Sequence, residues 1–261
     1  MIIFSCFVIF VLGLLIGSFL NVVILRYNTG LSVAKGRSFC FSCHKSLTWY
    51  ELFPVFSFIF QAGRCRHCKA KLSWQYPIVE LLTGCLFLIT FIHLGFNLGL
   101  SQKFFTELIT LITVSVLLII VFYDIRQKII PDGLVIILGI LAILFNLSAV
   151  AFPWSNFLTG IVMALPLFLI SILSRGRLMG LGDPKLMLVL GWFLSLSQGI
   201  TVFVWSFWFG AIYGLALLIL KRFNLIKGPI NRLTEIPFAP FIILAFYLTF
   251  FGQLNVLSVM F

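Results

Sequence analysis

Four of the six cysteines stand in two pairs, CFSC (Cys40, Cys43) and CRHC (Cys65, Cys68), with 21 residues between the pairs. Two CxxC knuckles at that separation can converge on one tetrahedral thiolate site, the preferred geometry of structural zinc. The sequence therefore predicts a zinc site ligated by Cys40, Cys43, Cys65 and Cys68. His44 and His67 lie beside these ligands, but four thiolates already fill a tetrahedron, so both read as exposed loop histidines. Cys6 and Cys85 fall inside apolar runs and read as inert thiols.

The second candidate chemistry lies in the carboxylates, of which the chain has only seven. Asp124, in VFYDIRQKIIPD, closes an apolar run. It faces the negative end of its own helix dipole, a poor place for a structural anion; were the helix to run on towards Pro131, an i,i+4 pair with Lys128 would be the plain alternative. Asp183, in RLMGLGDPKL, precedes Pro184 in the manner of an ordinary helix start with an Asp N-cap. Gly180 and Gly182 exceed what such a cap needs, because they open backbone conformations closed to other residues and let another chain approach. Asp132, in IIPDGL, reads as an N-cap, and Glu51, Glu80, Glu107 and Glu235 as surface acids that solvate or pair with nearby bases. If Asp124 and Asp183 meet, they cannot both ionise readily, so one keeps a proton while the other activates water. Helix ends would then favour an ionised Asp183 and a protonated Asp124.

The elements that must place these groups are apolar helices. The 261 residues are 62% hydrophobic and 10% charged, with a mean hydropathy of +1.18, far outside a soluble globular composition. Apolar runs at about 2–25, 77–96, 104–123, 133–151, 157–174, 184–197, 200–220 and 238–256 predict an all-α polytopic membrane protein of about eight transmembrane helices, the sixth the shortest. The first run carries no charge before Arg26, so it lacks the basic lead-in of a cleaved signal peptide and reads as a retained helix. With the N-terminus outside, seventeen of the eighteen Lys and Arg fall on the cytoplasmic side, Lys103 being the exception. The net charge of +11 is thus a topology signal and no mark of nucleic-acid binding. The chain divides into a first helix (1–26), a cytoplasmic cysteine module (27–75) and a helical membrane domain (76–261). In the reducing cytosol the four thiols favour zinc over disulfides, and a module of that size needs such a staple. Its flank WYELFPVFSFIFQAG is too short to span and is expected to pack at the membrane interface, as a cover for the metal module or as a substrate-docking surface. No internal repeat is visible, and nothing in the pattern fixes an oligomeric state.

GSFLNVVILR (17–26), the two CxxC pairs, WYELFPVFSF, YPIVELLTG (76–84), DIRQKIIPD, GLGDPKL and IPFAPF (236–241) follow one another along nearly the whole chain. In that order they resemble the type IV prepilin peptidases, membrane aspartic proteases with a GxGD motif. The resemblance implies that Asp124 and Asp183 are the catalytic pair, with Asp132 outside it. It implies prepilin or pseudopilin substrates in the lipid bilayer, whose short basic leader is cut after a glycine at the cytoplasmic face. On that reading the GLG edge, Gly180 and Gly182, can pair with the unwound substrate chain. Many family members also methylate the new N-terminal amine with S-adenosylmethionine, an activity associated with the region around the cysteines. No GxGxxG or recognisable nucleotide site marks the donor here. CFSC lacks the proline often found after the first cysteine, and ILRYN departs from the usual IYRLP; neither touches the aspartates. FIFQAG and IPFAPF lean towards the Gram-positive competence-pilin branch. The competing reading is a non-catalytic transporter or channel with a zinc-stapled cytoplasmic domain. Transporters tend to place such acids at the bilayer midplane, whereas these two aspartates are expected at one surface.

Overall fold

The computed structural model describes residues 2–33, 35–95, 102–148, 154–177, 179–223 and 236–252. Among the described residues the chain is helical and has no β-strand: α1 (Ile2–Arg26), α2 (Phe56–Phe60), α3 (Gln75–Leu94), α4 (Gln102–Gln127), α5 (Asp132–Leu147), α6 (Trp154–Leu173), α7 (Gly182–Gly191), α8 (Leu196–Arg222) and α9 (Ala239–Gly252). Each of the eight apolar runs overlaps one of these helices, but among the described residues only five, α1, α3, α4, α6 and α8, are long and apolar enough to cross a membrane. The shortest of the others, α7, has 10 residues, which at 1.5 Å per residue covers about half of a hydrocarbon core. The ends of the second, fourth and eighth runs, with Lys227, Arg232 and Glu235, lie outside the described residues. The chain forms two compact units, Met1–Ile119 and Ile120–Phe261, with α4 beginning in the first and ending in the second.

In the first unit α1 packs against α3 through small residues. A Cβ on Gly13 would lie 2.7 Å from Gly84 Cα, and one on Gly17 would lie 2.7 Å from Glu80 Cα. Such backbone approach is how helices gain dispersion contact where lipid removes the hydrophobic drive. Asn21 adds a polar tie, its buried Nδ2 donating to the Tyr76 carbonyl at 3.1 Å. Arg26, the last residue of α1, turns inwards. Its guanidinium donates to the carbonyls of Ser32 (2.7 Å) and Arg37 (3.1 Å) and lies 5.6 Å from the Phe39 ring centre, folding the linker back towards the first cysteine knuckle.

In the second unit α7 is the central element. Leu186, Met187 and Leu190 are fully buried, and α5, α6 and α9 all pack on it. Asn146 of α5 fixes its far end, with Nδ2 donating to the Trp192 carbonyl (2.8 Å) and Oδ1 accepting from Asn156 Nδ2 (3.1 Å). The loop before α7 is held by the Ser171 hydroxyl, which donates to the Met179 carbonyl at 3.0 Å. At the end of α4, Lys128 takes a left-handed φ of 55° while its N–H closes on the Asp124 carbonyl at 2.7 Å. The helix therefore stops short of Pro131, whose ring disfavours helical backbone in the residue before it.

Candidate active site and metal centre

Asp124 stands in the last turn of α4 and is only 5% exposed. Its Oδ2 accepts the backbone N–H of Ala239, 3.2 Å away, at the first residue of α9. That amide is one of the unpaired donors of a helix start. Asp183 lies in the first turn of α7, half-buried, close enough to Asp124 to feel its charge. The cap position of α7 belongs to Leu181, so Asp183 is not the predicted N-cap. Each carboxylate thus meets the amino end of a helix, Asp183 that of α7 and Asp124 that of α9. This removes the asymmetry from which the sequence assigned their protonation, because Asp124 meets more than the carboxyl end of its own helix.

Asp132 is also inside its helix, with Pro131 at the cap position. It is exposed and accepts from Lys185 Nζ at 2.8 Å. The two glycines of GLG differ from expectation: neither adopts a left-handed φ. A Cβ on Gly182 would lie 3.0 Å from Ile130 Cβ, so its bare backbone leaves room for that side chain. Gly180 stands in open space, the nearest atom to a Cβ there being Gly182 N at 4.0 Å.

The thiol sulfurs of Cys40, Cys43, Cys65 and Cys68 lie within 4.8 Å of one another, and Cys40 Sγ is 3.9 Å from Cys68 Sγ. A tetrahedron with metal–sulfur arms of about 2.3 Å has edges of about 3.8 Å, so the thiols fit a four-coordinate metal. Two copies of one turn build the cluster. His44 N–H donates to the Cys40 carbonyl (2.8 Å) and Cys40 N–H to that of Lys45 (3.0 Å). Lys69 N–H donates to the Cys65 carbonyl (2.9 Å) and Cys65 N–H to that of Ala70 (2.8 Å). Both turns close on a left-handed residue, His44 (φ 56°) and Lys69 (φ 61°). This short repeat escaped the sequence because the shared letters are few. Burial pushes the Cys40 thiol up, but N–H groups of Cys43 and Ser42 and hydrogen bonds from Cys65 and Cys43 bring it down to about 7. Cys68 accepts from the Ala70 N–H, which lowers it, yet desolvation and the three neighbouring thiols raise it to about 11. Neither histidine joins the cluster: His44 stacks on Phe39, and His67 Nε2 lies 3.8 Å from Glu51 Oε1.

Three acids assigned to the surface are buried instead. Glu51 Oε2 accepts the Thr48 N–H (2.9 Å) and hydroxyl (2.7 Å). Burial pushes its carboxyl up, but these two donors and then the charges of His67 and Arg66 hold it below the usual range. Glu51 Oε1 is buried with no hydrogen-bond partner, and the residue borders a cavity of about 930 Å³ lined also by Tyr50, Phe53, Phe56, Phe60, Arg64, Arg66 and Lys69. Glu80 of α3 accepts the Val55 N–H at 2.8 Å, with Ser18 of α1 as a second partner. Val55 is the centre of a γ-turn of the strained hand, with φ 61°, ψ −51° and Phe56 N–H donating to the Pro54 carbonyl at 2.6 Å. No periodicity flags such a turn; a β-branched residue would not be expected there. Glu107 is buried with Oε1 unpaired.

A multi-pass helical membrane protein with a four-thiol module and two interacting carboxylates at helix ends is the class these features define. Residues 11–94 match the bacterial peptidase A24 N-terminal domain, and residues 111–215 match the type IV leader peptidase family. The prepilin leader peptidase/N-methyltransferase of Bacillus subtilis (strain 168) is 32% identical over 234 residues, 89% of this chain and 88% of that protein. The protein of the same name from Klebsiella pneumoniae is 36% identical over 198 residues, 71% of this chain and 83% of its own length. A third, from Myxococcus xanthus (strain DK1622), is 34% identical over 218 residues, and the match covers 80% of this chain but 62% of the longer relative. No solved structure matches the chain. The chain belongs to the type IV leader peptidase family, and it is a membrane peptidase. The transporter or channel reading finds no support in any of these matches.

Proposed function

We propose that the protein removes the short basic leader of type IV prepilins or pseudopilins at the cytoplasmic membrane face, cutting after glycine, with Asp124 and Asp183 as its catalytic pair. The observation that carries this reading is the buried Asp124, with Oδ2 held by the amino end of α9, in electrostatic reach of Asp183. Because Oδ2 accepts from Ala239, any proton that Asp124 carries sits on Oδ1. The pair shares one proton: the ionised carboxylate takes a proton from water as the oxygen adds to the scissile carbonyl, and the protonated one donates towards the departing amine. Water's oxygen ends in the new carboxylate of the leader, and the mature chain leaves with a free amine. The open backbone at Gly180 suits an extended substrate strand alongside it.

In an eight-helix topology with the N-terminus outside, the module and both aspartates would fall on the cytoplasmic side. Zinc is the metal proposed for the four thiols, where it would serve as a closed structural staple. S-adenosylmethionine, when bound, would supply a methyl group to the new amine. The module's cavity offers the aromatic walls of Tyr50 and Phe53 for a flat base, but Arg64, Arg66 and Lys69 border it, and no residue is assigned to the cationic sulfur.

The test co-expresses a tagged prepilin with wild type, Asp124→Asn and Asp183→Asn, following the leader on gels and the mature N-terminus by mass spectrometry. Cleavage by wild type and its loss in both variants, at equal membrane abundance, is expected. Full cleavage by both variants would move the chemistry elsewhere.

A further inference from the structure

The outer face of α2 and the residue before α3 are unusually bare of protein. Ile59 is 64% exposed, Phe60 86% and Trp74 70%. Trp74 stands beside α2, its ring 5.0 Å from that of the buried Phe58, and it immediately precedes α3. Arg64 and Lys71, both exposed, face each other across the bridge that closes the second cysteine turn.

The depth of the patch is set by a ruler inside the unit. α3 is a candidate membrane span starting at Gln75, and Glu80 lies about 7.5 Å along it. Glu80 grips the N–H of Val55, the residue just before α2. Trp74 ties the middle of α2 to the start of the span. Val55 is therefore held at a level more than one turn inside α3, and the ring of Phe58 near the level of its first residue. That is the depth of headgroups and first methylenes, where Trp and Phe side chains settle beside Lys and Arg.

We propose that α2, Trp74, Arg64 and Lys71 form an interfacial anchor that seats the cysteine module on anionic phospholipid. The apolar side chains enter the acyl boundary and the two bases meet the phosphates. A short basic substrate leader is the wrong partner for this patch, since Arg64 and Lys71 repel it.

The full-length protein in nanodiscs, containing photo-crosslinking analogues of either phosphatidylglycerol or phosphatidylcholine, tests this by peptide mapping. Labelling within residues 56–74 is expected, stronger for the anionic lipid by about tenfold. Arg64→Gln with Lys71→Gln should bring the ratio of the two lipids close to one, and Ile59→Ser with Phe60→Ser should lower both yields. Unchanged metal content in each variant reports an intact module. The anchor is overturned if 56–74 stays unlabelled while α1 is labelled, if the two lipids label it equally in wild type, or if a prepilin peptide displaces the label. None of these readouts depends on leader cleavage, so the anchor and the peptidase assignment stand or fall separately.

Discussion

The cysteine cluster and the aspartate pair are both small constellations of ionisable groups, yet they are assembled in opposite ways. Each half of the cluster is a turn of six residues whose own backbone hydrogen bonds aim two thiols at one point. The geometry is local, repeated, and indifferent to what lies further along the chain. The aspartates come from the carboxyl end of α4 and the amino end of α7, and the donor that holds Asp124 comes from α9, 115 residues away in sequence. Nothing near Asp124 builds that site; packing around α7 does. A local site suits a staple, whereas a site built from helix ends can open its carboxylates to a substrate between elements.

Six measurements would break or sharpen this contrast. Loss of either aspartate should lower leader cleavage by about 10³-fold, and the double variant should be no worse than the single ones, as for groups that act as a unit. A multiplicative loss would mean two independent sites. With one proton shared, kcat/KM should fall both where the pair gains a second proton and where it loses its last.

The cluster should respond to acid and chelator in a different manner. Cys65→Ser should abolish stoichiometric metal binding, since a four-thiolate site loses one of its ligands. In the metal-free protein the folded Cys40 thiol titrates at about 7 against a reference of 9.0. Its stabilising contribution is present in full above the unfolded value and is lost as pH falls through about 7. Alkylation followed by mass spectrometry should find Cys40 reacting near neutrality, while Cys68, raised to about 11, waits for strong alkali. Simultaneous reaction of both thiols would remove the predicted asymmetry.

A smaller effect is expected where a membrane helix holds the module's strained turn. Glu80→Ala leaves the Val55 N–H without its acceptor and should cost about 1–3 kcal/mol, read as a lower midpoint in thermal unfolding. Glu80→Gln keeps an acceptor oxygen and should cost less. The smallest effect belongs to Asp132, an exposed partner of Lys185. Asp132→Asn should change stability by less than about 1 kcal/mol and leave cleavage near wild type. A loss there as large as that of Asp124 would put Asp132 in the pair.

The sequence by itself determined the membrane class, the helical runs, the four cysteines that cluster and the two aspartates singled out from seven acids. Those features reside in composition, in the length of apolar runs and in spacings of a few residues, all set by the local chain. Tertiary structure decided the rest. It placed Asp183 and Asp132 inside their helices instead of at the caps, buried Glu51 and Glu80, and removed the left-handed backbone expected of GLG. It also supplied Ala239, visible in sequence only as the residue before Pro240, a sign of a helix start and not of what that start would face. The physical reason is common to all of these. An acid's solvation, and the partner for an unpaired N–H, depend on which helix packs beside it, and that choice is made by side-chain fit between segments far apart in the chain.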